Sequence, residues 1–128
     1  MTTTDDTTRR PPIWTGHLGP LDQTDLEAAK TFYRALGLRL VHDLDQAAIM
    51  EMRGGTHLVL RQADGDVEGG RVRFDFMVED LNATHAGLVE AGLEPGPIVD
   101  GANHQRFAIV DPSGHEIPVF DSHVVGTV

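Results

Sequence analysis

Leu26, Ala29, Tyr33 and Leu36 fall at helical spacing, with Glu27, Lys30, Thr31 and Arg34 among the residues between them. The pattern predicts an amphipathic helix that packs by one apolar stripe. Thr24 stands before it as a cap, and Glu27 three residues later completes a capping box. Gly37 is placed to end the helix in a left-handed conformation. Leu81, Thr84, Leu88 and Ala91 repeat the stripe, with Asp80 as the cap and Gly92 as the stop. Every matching position is displaced by 55 residues, from Leu26 to Leu81 and from Gly37 to Gly92. The packing faces therefore recur along with the letters, which predicts a duplicated supersecondary unit.

Strand-like runs surround each helix. In the first half they are Leu38–His42, Ala47–Met52 and Thr56–Arg61, with Gly54-Gly55 as a hairpin turn. In the second half they lie near Gly96–Val99, Gln105–Val110 and His115–Phe120. Asp111-Pro112-Ser113-Gly114 is a strong turn signal. One further strand precedes each helix, within Ile13–Leu21 and Arg71–Val78. The predicted order is β-α-β-β-β, twice, giving an α+β fold of two tandem modules. Residues 13–61 form the first module, 62–70 a polar Gly-rich linker, and 71–122 the second. Residues 1–12 read as a flexible arm and 123–128 as a tail, all within one structural domain.

Composition narrows the function classes. A chain of 128 residues with 40% hydrophobic content suits one compact domain. A net charge of −10 without a basic stripe argues against nucleic acid as partner and mildly favours cationic ligands. No apolar run has bilayer length, and the N-terminus lacks the apolar stretch of a secretory signal, so no membrane partner is expected. The absence of Cys excludes disulfides, thiolate metal sites and cysteine nucleophiles, and fits a cytoplasmic location. There is no G-x-S-x-G elbow, no phosphate-cradling Gly loop and no H-E-x-x-H pair.

Asp25-Leu26, Phe32-Tyr33 and Leu36-Gly37 in the first half, with Glu79-Asp80-Leu81, Ala91-Gly92 and Asp111-Pro112-Ser113-Gly114-His115 in the second, resemble the vicinal oxygen chelate superfamily. That group includes glyoxalases, bleomycin-resistance proteins and extradiol dioxygenases. The resemblance covers roughly residues 13 to 121. It implies two βαβββ modules whose mixed sheets curl around a shared cavity, and a homodimer.

Strand alternation then assigns side chains to that cavity. Phe74, Phe76 and Val78 are expected to pack on the helix, leaving Arg73, Asp75 and Met77 for the cavity. Leu58 and Leu60 pack, leaving His57, Val59 and Arg61. Ile117 and Val119 pack, leaving Glu116, Pro118 and Phe120. His17 reaches the cavity if Gly19-Pro20 carries a bulge. Trp14 and Phe120 are candidates for stacking on a ligand, with a dimer contact as the alternative for Trp14. His104, on a loop beside the cleft, is a ligand-contact candidate. His85 is expected at the surface, His115 in a structural role, and His42 and His123 without partners.

The resemblance implies four strand positions for metal ligands, and here they carry His17, Val59, Arg73 and Pro118. Val and Pro cannot ligate through their side chains, and Arg opposes a cation. The favoured reading is therefore a metal-free protein that binds a small molecule, with Trp14, His17, His57, Val59, Arg61, Arg73, Asp75, His104, Glu116 and Phe120 as ligand-binding candidates. No cofactor is favoured and the catalytic residues are unknown. The alternative is a lyase, isomerase or dioxygenase holding Zn, Fe, Mn or Ni through a displaced set drawn from His17, His57, Asp75 and Glu116. A non-catalytic dimeric interaction module is the third reading.

Overall fold

The computed structural model describes residues 6–128. The first module runs β1 (His17–Gln23), α1 (Leu26–Leu36), β2 (Arg39–Asp43), β3 (Ala47–Glu51) and β4 (His57–Gln62). The second runs β5 (Gly70–Arg71), β6 (Phe76–Val78), α2 (Leu81–Glu90), β7 (Val99–Asp100), β8 (Gln105–Val110) and β9 (His115–Asp121). Each module makes its own mixed sheet. The first has the order β1-β4-β3-β2, and the second places β5 and β6 along β9, followed by β8 and β7. The duplicated α+β architecture is thus the observed one.

Each helix lies across one face of its own sheet, α1 over β2 to β4 and α2 over β8 and β9. The apolar stripe decides this: Leu26, Ala29 and Tyr33 on α1 and Leu81 and Leu88 on α2 are all buried. They meet Met50, Leu58 and Leu60 from the first sheet and Ile109, Ile117 and Val119 from the second, in one continuous core. Each such aliphatic side chain contributes about 1.5–3 kcal/mol by leaving water. Lys30 also lies inside the stripe, where its ammonium pairs with Asp43 and Glu27.

The helix starts differ in detail from the sequence reading. Asp25, not Thr24, caps α1, its carboxylate accepting from Ala28 N at 3.1 Å. Thr24 is drawn away, because its N–H donates to Ser113 Oγ at 2.9 Å. Asp80 caps α2 as expected, and Gly37 ends α1 in the left-handed region.

The strands show three departures. The first strand, expected within Ile13–Leu21, starts at His17 and runs on past Leu21 to Gln23. The run expected over Arg71–Val78 is broken into β5 and β6. Arg71 pairs with Glu116 and Phe76 with Val119, so the joining segment is longer than the stretch of β9 beside it and cannot keep a regular ladder. The run near Gly96–Val99 shrinks to Val99–Asp100. Part of the expected N-terminal arm, residues 1–5, lies outside the described residues. Within the rest, Thr7 O accepts from Thr127 N at 2.9 Å, and Arg10 Nε donates to Val128 O at 3.0 Å. Among the described residues, no helix is long and apolar enough to cross a membrane.

The two modules are joined through the Asp111–Gly114 turn. Asp111 is 3% exposed and forms no ion pair among the described residues. Its Oδ2 accepts from Gln23 Nε2 and Tyr33 Oη, both at 2.9 Å, and its Oδ1 accepts from the backbone of Ser113 and His115. Four donors thus replace the water that burial removed. His115 is structural as expected, its Nε2–H donating to Asp22 O at 2.7 Å.

Candidate functional site

The open face of the first sheet is built by alternation on β1, β3 and β4. His17 pairs with His57 and Leu18 with Leu58, but Leu21 pairs with Leu60. Gly19 and Pro20 together therefore oppose Val59, which is the bulge the sequence suggested. Gly19 has φ +96, a conformation that a side chain would strain. The bulge keeps Leu21 on the core side while turning His17 to the open face. There the His17 and His57 rings meet edge to face with centroids 5.5 Å apart.

His57 has a second neighbour that the sequence reading missed. Its Nε2 lies 3.2 Å from Glu51 Oε2, and Arg39 donates to Glu51 Oε1 at 2.9 Å. The hydrogen bond from His57 is the main cause holding the Glu51 carboxyl below its usual range, and Arg39 acts in the same direction against partial desolvation. The signal was present in the sequence: the tight turn after β3 pairs Glu51 with His57, which alternation then places on one face. Val59 follows on the same face. Arg61 is taken by Asp22 at 2.8 Å, and the pairing lifts its guanidinium above its ordinary value.

The second sheet presents Arg106, Ala108 and Val110 from β8, with Glu116, Pro118 and Phe120 from β9. A groove of about 390 Å³ lies on this face, with Arg71, Arg106, Glu94 and Glu116 as its charged lining and Pro118 among its apolar residues. A second groove of about 380 Å³ lies where the bulge of β1 meets the segment leading through β5, and includes Gly19, Pro20, Arg71 and Arg73. Among the described residues, Arg71, Arg73 and Arg106 have no ion pair. Both signs of charge thus line the grooves, and the acidic balance of the whole chain does not extend to them.

The remaining candidates are dispersed. Asp75 is exposed on the segment joining β5 and β6, and Trp14 is 69% exposed with its indole N–H bonded to Gly54 O at 2.9 Å. His104 stands beside Phe120, its ring 6.2 Å from the phenyl ring, and shares a 3.0 Å hydrogen bond with His123. His123 was expected to be without a partner. His85, expected at the surface, is half-buried. Its Nε2–H donates to Gly96 O at 2.8 Å and its ring meets Phe107 edge to face. The tertiary reason is that Gly96 and Phe107, distant in sequence, come up against that side of α2.

A divalent metal does not fit these residues. Val59, Arg73 and Pro118 offer no donor, and His17, His57, Asp75 and Glu116 do not gather at one point. Among the described residues, no group of three or more His, Asp or Glu side chains is arranged to hold an ion. Metal sites of this class need several donors at bonding distance.

A family model described as a glyoxalase-like domain matches residues 20–120. No match to this sequence was found among curated proteins. The chain is similar to the solved lactoylglutathione lyase of Agrobacterium tumefaciens, at 24% identity and a TM-score of 0.74, over 92% of this chain and 100% of that one. It is similar to a glyoxalase/bleomycin resistance protein of Catenulispora acidiphila, at 23% identity and a TM-score of 0.68, over 85% and 96% of the two chains. It is also similar to the bleomycin resistance determinant encoded on transposon Tn5, at 18% identity and a TM-score of 0.67, over 88% and 99%. At these identities the shared property is the fold.

Proposed function

The chain belongs to the glyoxalase-like domain family, and from that premise we propose that it binds a small molecule on the open faces of its two sheets without using a metal. The observation that carries this reading is the donor set. Three of the four family ligand positions hold Val59, Arg73 and Pro118, and no other three donors converge among the described residues. What the faces offer instead is a mixture of imidazoles, arginines, carboxylates and apolar side chains, the usual lining of an organic-ligand site. Arg71, Arg73 and Arg106 beside Glu94 and Glu116 suit a ligand with polar groups of either sign attached to apolar surface. The proposal extends to a cytoplasmic homodimer, supported by the exposed Ile13 and Trp14, 85% and 69% accessible in the single chain.

Protein purified without a metal-affinity tag is the material for the test. Elemental analysis for Zn, Fe, Mn and Ni is expected to give far less than one metal per chain. Near-stoichiometric metal that disappears in His57→Ala and Glu116→Ala would overturn the reading. A thermal-shift screen across metabolites and drug-like compounds is the companion measurement, because a ligand that binds only the folded chain raises its melting temperature. Silence across the whole screen would favour a non-catalytic interaction module.

A further inference from the structure

We propose that His57 is a general base: its Nδ1 takes a proton from a ligand held on the open face of the first sheet, while Glu51 orients the ring and balances the charge that forms. This rests on the reading that a ligand occupies that face, and it adds proton-transfer chemistry that needs no metal.

The hydrogen bonds fix the tautomer. An ionised carboxylate only accepts, so the 3.2 Å contact requires His57 Nε2 to carry the proton. The lone pair of the neutral ring then lies on Nδ1. That nitrogen has no hydrogen-bond partner among the described residues, and it is not among the buried, unsatisfied atoms, so solvent or a ligand can reach it. The ring itself is largely covered, with its side chain 26% exposed.

Glu51 is held in turn. Arg39 engages its other oxygen at 2.9 Å, and the two contacts keep the carboxyl ionised below its ordinary range. The groups around His57 are then His17 from β1, Arg39 from β2 and Glu51 from β3, with apolar Val59 next on its own strand. A base oriented by a fixed carboxylate, with its second ring nitrogen left without a partner, is an arrangement suited to proton abstraction.

The step balances without a co-reactant. A C–H or O–H bond of the ligand breaks, its electron pair stays on the ligand, and the proton forms a new N–H bond at Nδ1. The resulting imidazolium is neutralised by Glu51. Return of the proton to the ligand restores the base, and makes the overall reaction an exchange if it goes to the same atom or an isomerisation if it goes to a neighbouring one.

The test uses the full chain and two readouts that need no ligand. Nitrogen-15 NMR of the histidine side chains, with His57 assigned by its loss in His57→Gln, is expected to show the Nε2–H tautomer. Diethyl pyrocarbonate, which reacts with an unprotonated imidazole nitrogen, is expected to modify His57 faster than the more exposed His42, with sites resolved by mass spectrometry. Glu51→Gln is expected to slow modification of His57 roughly tenfold, the size of effect that follows loss of a charge-assisted hydrogen bond. Arg39→Gln, which leaves the Glu51–His57 contact in place, is expected to preserve the tautomer. An Nδ1–H tautomer in the unaltered protein, or modification of His57 no faster than that of His42, would overturn the proposal even if Glu51→Gln failed to fold. Because neither readout involves a ligand, their failure is distinct from silence in the binding screen.

Discussion

The phenol of Tyr33 donates a 2.9 Å hydrogen bond to Asp111, 78 residues farther along the chain. It ties the helix of the first module to the turn of the second. Tyr33 is fully buried and Asp111 nearly so. Removing the hydroxyl in Tyr33→Phe leaves a buried carboxylate short of one donor. The expected loss is about 1.5–3 kcal/mol, as for a hydrogen bond to a charged group. Asp111→Ala should cost more, since Gln23, Tyr33 and two backbone N–H groups all lose their acceptor. Urea unfolding of the three proteins checks both statements.

The same contact predicts alkaline sensitivity. Burial, and next the charge of Asp111, push the Tyr33 phenol well above its usual value of about 10. A raised folded-state value means that the contribution is whole below the unfolded value and is lost as pH climbs beyond it toward the folded one. Stability followed from neutral pH into the alkaline range should fall in the unaltered protein, and Tyr33→Phe should flatten that fall. Parallel curves would show that the phenol is not responsible.

Glu51 acts at the other end of the scale. Its carboxyl is held low, chiefly by His57 and then by Arg39. Its contribution is therefore present above the ordinary carboxylate range, near about 4.3, and is lost as pH drops through the lower folded value. Glu51→Gln should make the acid limb of the stability curve less steep. Denaturant melts at a series of acidic pH values read this directly.

Gly19 and Gly37 both have positive φ but differ in surroundings. A Cβ on Gly19 would lie 2.8 Å from Val59 O and 2.9 Å from Leu21 N, while one on Gly37 meets nothing within 4 Å. Gly37→Ala should cost about 1 kcal/mol from the backbone alone. Gly19→Ala adds a clash with backbone atoms and should cost at least about 2 kcal/mol. It should also disturb the bulge that positions His17, which would appear as a changed ring environment for His17 and His57 in NMR spectra.

Arg53 and Glu79 form a 2.9 Å ion pair between the modules, with side chains 76% and 73% exposed. Screening by solvent leaves little net gain, so Arg53→Ala should cost no more than about 0.5 kcal/mol. Ile117→Ala, in the fully buried core, should cost about 2–5 kcal/mol. The two urea midpoints give the comparison.

Several site features were legible in the residues alone. The alternation on β4 assigned His57, Val59 and Arg61 to one face, and Leu58 and Leu60 to the core. Gly19-Pro20 announced the bulge. Other features were hidden because they depend on segments distant in sequence. Asp111 reads as a turn residue, yet its carboxylate is the acceptor that joins the two modules. Thr24 reads as a cap, but a partner 89 residues away draws its backbone elsewhere. Arg71–Val78 alternates like one strand, and only pairing with β9 shows where its ladder is interrupted.

What the chain determined by itself was the duplicated module, its two packing helices and the inward and outward sides of most strands. These follow from periodicity, which is a local property of the backbone. What only the tertiary structure decided was which polar groups meet: Glu51 with His57 and Arg39, Tyr33 and Gln23 with Asp111, His104 with His123. Hydrogen bonds and ion pairs depend on separations of a few ångströms between side chains that the sequence sets apart, and the packing of the sheets fixes those separations.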